Sequence, residues 1–164
     1  MIQYATSHTE LWRELFDYWN SKRHADGCLP SRRDLDPVID IPHLAGNLIL
    51  FDVRPDGYRY RLIGSANTLR WGEDLTGKML GSGRRPPRVV PGWRAVYDMV
   101  SQDRKPRIVI SRMKAGDQTK HILVVMPLSD DAGAIDCLLV GVFYEGDFRR
   151  GEQIEGLLTE EISI

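Results

Sequence analysis

Cysteine is scarce here. Cys28 and Cys137 are the only two in 164 residues, and they lie far apart, which excludes a disulfide framework. With four histidines they also leave no metal-ligand spacing. An excess of charge is missing too: 22 Lys+Arg stand against 23 Asp+Glu, for a net charge of −1. That balance excludes nucleic-acid capture through a global field and leaves only a local basic patch open. The longest apolar runs, residues 122–126 and 137–144, fall far short of the roughly 20 needed to cross a bilayer. The opening MIQYATSHTE has neither a basic n-region nor an apolar h-region, so no signal peptide is expected, and a soluble cytoplasmic protein follows most simply. No G-x-S-x-G pattern surrounds Ser65, Ser111 or Ser129, so no serine hydrolase is indicated. Turns and helix caps account for the acidic residues Asp34, Asp36, Asp40, Glu73 and Asp74. No pair demands acid–base catalysis, a non-enzymatic protein is expected, and no cofactor is identified.

What is present is an ordinary globular composition, 42% hydrophobic and 27% charged, and a length that suits one domain with short extensions. Ser7-His8-Thr9-Glu10 fits a capping box. Leu11, Trp12, Leu15, Phe16, Tyr18 and Trp19 follow at helical spacing, which predicts an amphipathic helix over residues 8–23. Its aromatic face packs either on the chain's own sheet or, as a dimer seam of Leu11, Trp12, Leu15, Phe16 and Trp19, on a second copy. Residues 26–46 carry Pro30, Pro37 and Pro42 and read as short helical pieces, with Asp36-Pro37 an N-cap followed by proline at the first helical position. Residues 47–53 and 58–63 read as strands joined by the Arg54-Pro55-Asp56-Gly57 turn.

The strand at 58–63 breaks at Gly64 into a short helix at 66–71, the arrangement by which a sheet hands over to helices packed close upon it. From Pro91, Trp93, Val96, Tyr97 and Val100 fall on one helical stripe. Strands are expected at 107–113, 119–128 and 135–144, separated by turns at Gly116-Asp117 and at 130–134, as an antiparallel meander. ILVVM and CLLVGVFY are apolar in both registers, so these strands must be covered on both faces. Residues 145–164, rich in Glu and Gly, read as a short helix or frayed tail. The chain thus divides into an N-terminal helix (1–25), a central domain (26–145) and a tail (146–164).

This element order resembles the PAS domain, an α+β fold with a five-stranded antiparallel sheet and helices over one face. The resemblance is carried by Leu29-Pro30-Ser31-Arg32-Arg33-Asp34-Leu35-Asp36-Pro37 with Ile41-Pro42, by Tyr60-Arg61-Leu62-x-Gly64, and by Gly72-x-Asp74-Leu75-Thr76-Gly77. These look like the opening and middle of a bacterial PAS-like subfamily of short proteins, over residues 8–145. It implies a sensory or interaction module that holds a small molecule between sheet and helices. It also implies a homodimer formed through the N-terminal helix packed beside the sheet. The Asn-Cys-Arg-Phe-Leu motif of photochemical flavin attachment is missing. With no kinase, cyclase or DNA-binding segment in the sequence, any output is expected through a separate partner protein.

Within that fold the pocket residues are expected to be Tyr60, Leu62, Trp71, Trp93, Tyr97, Ser111 and His121: apolar walls with a few polar groups. The same side chains could instead simply fill the core. His121, in period two with Leu123 and Val125, reads as a hydrogen-bonded interior histidine, and haem ligation is the sharper alternative. His8, His24 and His43 are expected at the surface. GSGRRPPR (81–88) is the candidate anion site, with Arg84, Arg85 and Arg88 as its charged forks; a solvated basic loop is the plainer reading. Cys137 reads as a buried small hydrophobe. Cys28 lies in a loop where no electropositive setting for a reactive thiolate is apparent.

Overall fold

The structure, a computed structural model, describes residues 6–84, 86–146 and 154–164, with side chains from residue 11 onward. The chain begins with α1 (Thr6–Ser21), then a 3₁₀ turn (Arg32–Asp34) and two one-turn helices, α2 (Pro37–Asp40) and α3 (Pro42–Ala45). Each of those short helices starts on a proline, and Asp36 caps α2 by accepting from the Ile39 amide. The β1 (Leu48–Arg54)–β2 (Gly57–Ile63) hairpin follows, then α4 (Ser65–Trp71) and α5 (Val90–Asp103). The chain closes with β3 (Arg107–Met113), β4 (Lys120–Ser129), β5 (Ile135–Glu145) and β6 (Ile154–Glu161).

The sheet is antiparallel with strand order β2-β1-β5-β4-β3-β6. Among the described residues it therefore has six strands, where five were expected. The sixth is the segment read as a helix or tail: residues 154–161 pair with β3 from Arg107↔Glu161 to Met113↔Ile154. Glu and Gly have low strand propensity, but an otherwise unpaired β3 edge outweighs so weak a preference.

Alternation along the strands sorts the core into two clusters. On one face Leu123, Val125, Leu138, Val140, Val142 and Tyr144 join α5 through Val96, Tyr97 and Val100. On the other, Ile122, Val124, Met126, Leu139 and Phe143 join Trp12, Leu15, Phe16 and Trp19 of α1. The double cover expected for β4 and β5 is thus present, with α1 supplied by the same chain. Leu15 and Trp19 are fully buried, and Trp19 Nε1 donates to the Pro127 carbonyl at 3.0 Å. Burying each such side chain is worth roughly 1.5–3 kcal/mol. Of the side chains considered for a dimer seam, Trp12, Leu15, Phe16 and Trp19 are buried against their own sheet, and Leu11 is partly buried beside them.

Two glycines permit these layers to close. A Cβ on Gly141 would lie 2.3 Å from Leu15, so glycine lets α1 lie flat on β5. A Cβ on Gly64 would lie 2.3 Å from the Gly46 carbonyl, which confirms a close backbone crossing where β2 hands over to α4.

Candidate functional site

A cleft lies between the sheet and the α4–α5 side of the molecule. Its sheet wall comes from Ile49 and Phe51 on β1, Tyr60 on β2, His121 and Leu123 on β4, and Val142 on β5. Its helical wall comes from Trp71 at the end of α4, Leu75, and Val90, Trp93 and Tyr97 on α5. Gly81, Ser82 and Pro87 of the connecting loop complete it. The enclosed space is about 30 Å³, room for roughly one or two water molecules.

Tyr60, Trp71, Trp93, Tyr97 and His121, named from the sequence, meet at this cleft. Leu62 does not: it is 45% exposed. Period-two counting puts it on the same face as Tyr60, but the register slips. Leu50 pairs with Leu62 while Phe51 pairs with Tyr60, so Arg61 is an extra residue, a β-bulge, and the facing inverts beyond it. Ile63 packs against the α5-side cluster in its place. Ser111 also stands back from the cleft. It is buried behind His121, its Oγ 2.7 Å from His121 Nδ1.

The aromatic walls are in mutual contact. Phe51 lies 4.6 Å from Tyr60 and 5.0 Å from Tyr97 between ring centroids, and Tyr60 meets Trp71 edge-on. His121 sits between Trp93, at 6.3 Å, and Tyr144, stacked at 5.8 Å. Burial pushes the His121 pKa down to about 3, so the ring is neutral at physiological pH and a poor proton acceptor. Burial also pushes the Tyr97 hydroxyl well above its ordinary range. Tyr144, raised to about 12 by burial, donates to Asn67 Oδ1 at 2.7 Å, while the Arg70 guanidinium covers its ring at 3.9 Å. Asn67 is itself fully buried. One wall donor is unmatched: Trp93 Nε1, shielded from water, has no hydrogen-bond acceptor among the described residues. Leaving such a group unpaired costs about 1–3 kcal/mol.

Several residues escaped sequence reasoning. Ile49 and Phe51 alternate within NLILFDV, a signal that could have found them. Val142 could not be found that way, because both parities of CLLVGVFY are apolar.

The remaining candidates lie elsewhere. Arg84 and Arg88 are exposed, and Arg85 lies outside the described residues. The Arg84 amide donates to Glu73 Oε2 at 3.3 Å, so a carboxylate already occupies part of the loop read as an anion cradle. His24 and His43 are exposed and pair with Asp34 and Glu14 at 3.0 and 2.8 Å; the side chain of His8 lies outside the described residues. Cys137 is buried, with burial pushing its thiol up to about 12. Cys28 is exposed, its pKa raised by the neighbouring Asp26, the reverse of thiolate activation. Among the described residues no cluster of His, Cys, Asp or Glu could hold a metal ion, and no helix is long and apolar enough to cross a membrane.

Comparison with known proteins places these features in a wider group. A family profile described as a PAS domain matches residues 7–143. Among solved structures, a sensory box sensor histidine kinase from Vibrio cholerae superposes with a TM-score of 0.48 at 15% identity, over 85% of this chain and 95% of that one. The phage VqmA-DPO complex superposes with a TM-score of 0.47 at 13% identity, over 65% of this chain. The aligned region spans about half of VqmA, 52% of its chain. No curated protein matches the sequence.

Proposed function

The chain belongs to the PAS domain family, and from that premise we propose that it is a non-enzymatic sensor, binding a small molecule in the cleft beneath α5 and reporting it through α1. One observation carries this reading. Neighbouring residues of β5 serve the two faces in turn: Val142 lines the cleft, while Gly141 and Phe143 lie beneath α1. β4 does the same, with His121 and Leu123 at the cleft and Ile122 and Val124 under α1. A ligand that shifts either strand therefore changes the seat of α1 without any intervening mechanism. The exposed side of α1, carrying Arg13, Glu14 and Asp17, is where a separate partner or a second copy reads the change.

A ligand moves this equilibrium only by binding the two states unequally. Hydrogen–deuterium exchange over residues 6–21, with and without a bound small molecule, tests the coupling. Altered protection is expected; binding that leaves α1 unchanged overturns the reporting role. A second reading, an interaction module with a filled core, is favoured by the enclosed volume of only about 30 Å³. Native mass spectrometry of protein purified from cells separates the two: a retained small molecule supports the sensor, and a bare chain supports the module.

A further inference from the structure

The cleft walls discriminate among ligand chemistries. Phe51, Tyr60, Trp71, Trp93 and Tyr97 line the space with aromatic rings, and aromatic rings favour packing against a planar guest. Among the described residues no Asp, Glu, Lys or Arg lines the space. An ion brought there would lose its hydration and meet no counter-charge among those residues, a combination that strongly disfavours charged guests. Of the loop cations that are described, Arg84 and Arg88 are exposed to solvent and are absent from the lining. Against this neutral background stands one unmet demand, the buried Trp93 Nε1–H with no acceptor among the described residues.

We propose that the cleft takes an uncharged, flat ring compound whose ring nitrogen or carbonyl oxygen accepts a hydrogen bond from Trp93 Nε1–H. This rests on the reading of the cleft as a ligand site and adds the chemistry of the ligand. Because the enclosed space holds only a water or two, wall residues move aside on entry. Trp71 is the aromatic wall that does so, being only partly buried, whereas Phe51, Tyr60 and Tyr97 are buried in the core.

The test uses the full chain, ¹⁵N-labelled at tryptophan, titrated at pH 8 with three six-membered-ring probes. Pyridine is flat, neutral and carries an acceptor; benzene lacks the acceptor; benzoate is charged. The four indole N–H signals are assigned by single substitutions, Trp93→Phe among them. Pyridine is expected to move the Trp93 signal downfield saturably, to leave those of Trp12 and Trp19 in place, and to bind about tenfold more tightly than benzene. Benzoate is expected not to bind. In Trp93→Phe the advantage of pyridine over benzene should vanish while benzene binding persists. If that variant does not fold, the wild-type signal shift decides alone. Equal binding of pyridine and benzene, or binding of benzoate, overturns this inference and leaves the sensor reading standing. Failure of all three probes to perturb any indole signal overturns both.

Discussion

At the scale of single residues, His121 sets a pH dependence whose sign follows from its burial. Its pKa is pushed down to about 3 in the folded chain, against roughly 6.5 for an unfolded histidine. Between those values the unfolded state holds a proton that the native state refuses. The contribution to stability is therefore complete above about pH 6.5 and drains away as pH falls toward 3. By pH 5 the loss from this residue is about 2 kcal/mol. Urea titrations of the wild type and His121→Gln at pH 7 and pH 5 measure it; equal losses in both proteins would show that His121 is not responsible. Two glycines give a contrasting pair. Gly141→Ala is expected to destabilise by about 1–3 kcal/mol, with a smaller penalty in a Leu15→Ala background, because the clash is with a side chain. Gly64→Ala meets the Gly46 carbonyl, so no side-chain truncation should relieve it. A double-mutant cycle on chemical denaturation reads both.

At the scale of elements, α1 and β6 show where local sequence informs and where it misleads. The aromatic spacing of residues 11–19 is legible as a helix because a repeat near 3.6 is a property of the segment itself. Its destination is not, since Trp19 and its acceptor, the Pro127 carbonyl, are 108 residues apart. Trp19→Ala should cost about 3–5 kcal/mol and leave the hydrodynamic size of the folded protein unchanged; a change of oligomer at full stability would move the role of this helix to a subunit seam. IEGLLTEE offers no strand-like signal of its own, and only the free edge of β3 makes it one. Removal of residues 147–164 should therefore expose that edge, lower the thermal midpoint and promote aggregation. A truncated chain that melts with the full-length protein and stays monodisperse would deny β6 any structural weight. The β2 bulge acts on the same scale: one extra residue, Arg61, sends Leu62 to solvent and brings Ile63 inward, which no counting by twos can foresee.

At the scale of the whole molecule, the double-faced burial of β4 and β5 is the feature from which the rest proceeds. It makes one pair of strands the floor of the cleft and, on the reverse, the seat of α1. If that floor transmits, then Gly141→Ala, which props α1 away from β5, should alter ligand affinity at a cleft it does not touch; isothermal titration with a bound cleft ligand checks this, and unchanged affinity would uncouple the two faces. The sequence by itself determined the elements as far as β5 and the two-sided burial of β4 and β5, because helical spacing, turn residues and unbroken apolar runs are written locally. It also determined most of the cleft aromatics, since large rings on predicted inward faces have few other destinations. Tertiary structure alone decided which chain covers the lower face, that a sixth strand closes the β3 edge, and that Leu62 leaves the cleft for solvent. It alone left the Trp93 indole without an acceptor among the described residues. Each of these depends on pairing or packing between residues distant along the chain, and a pattern confined to one segment holds no record of what that segment will meet.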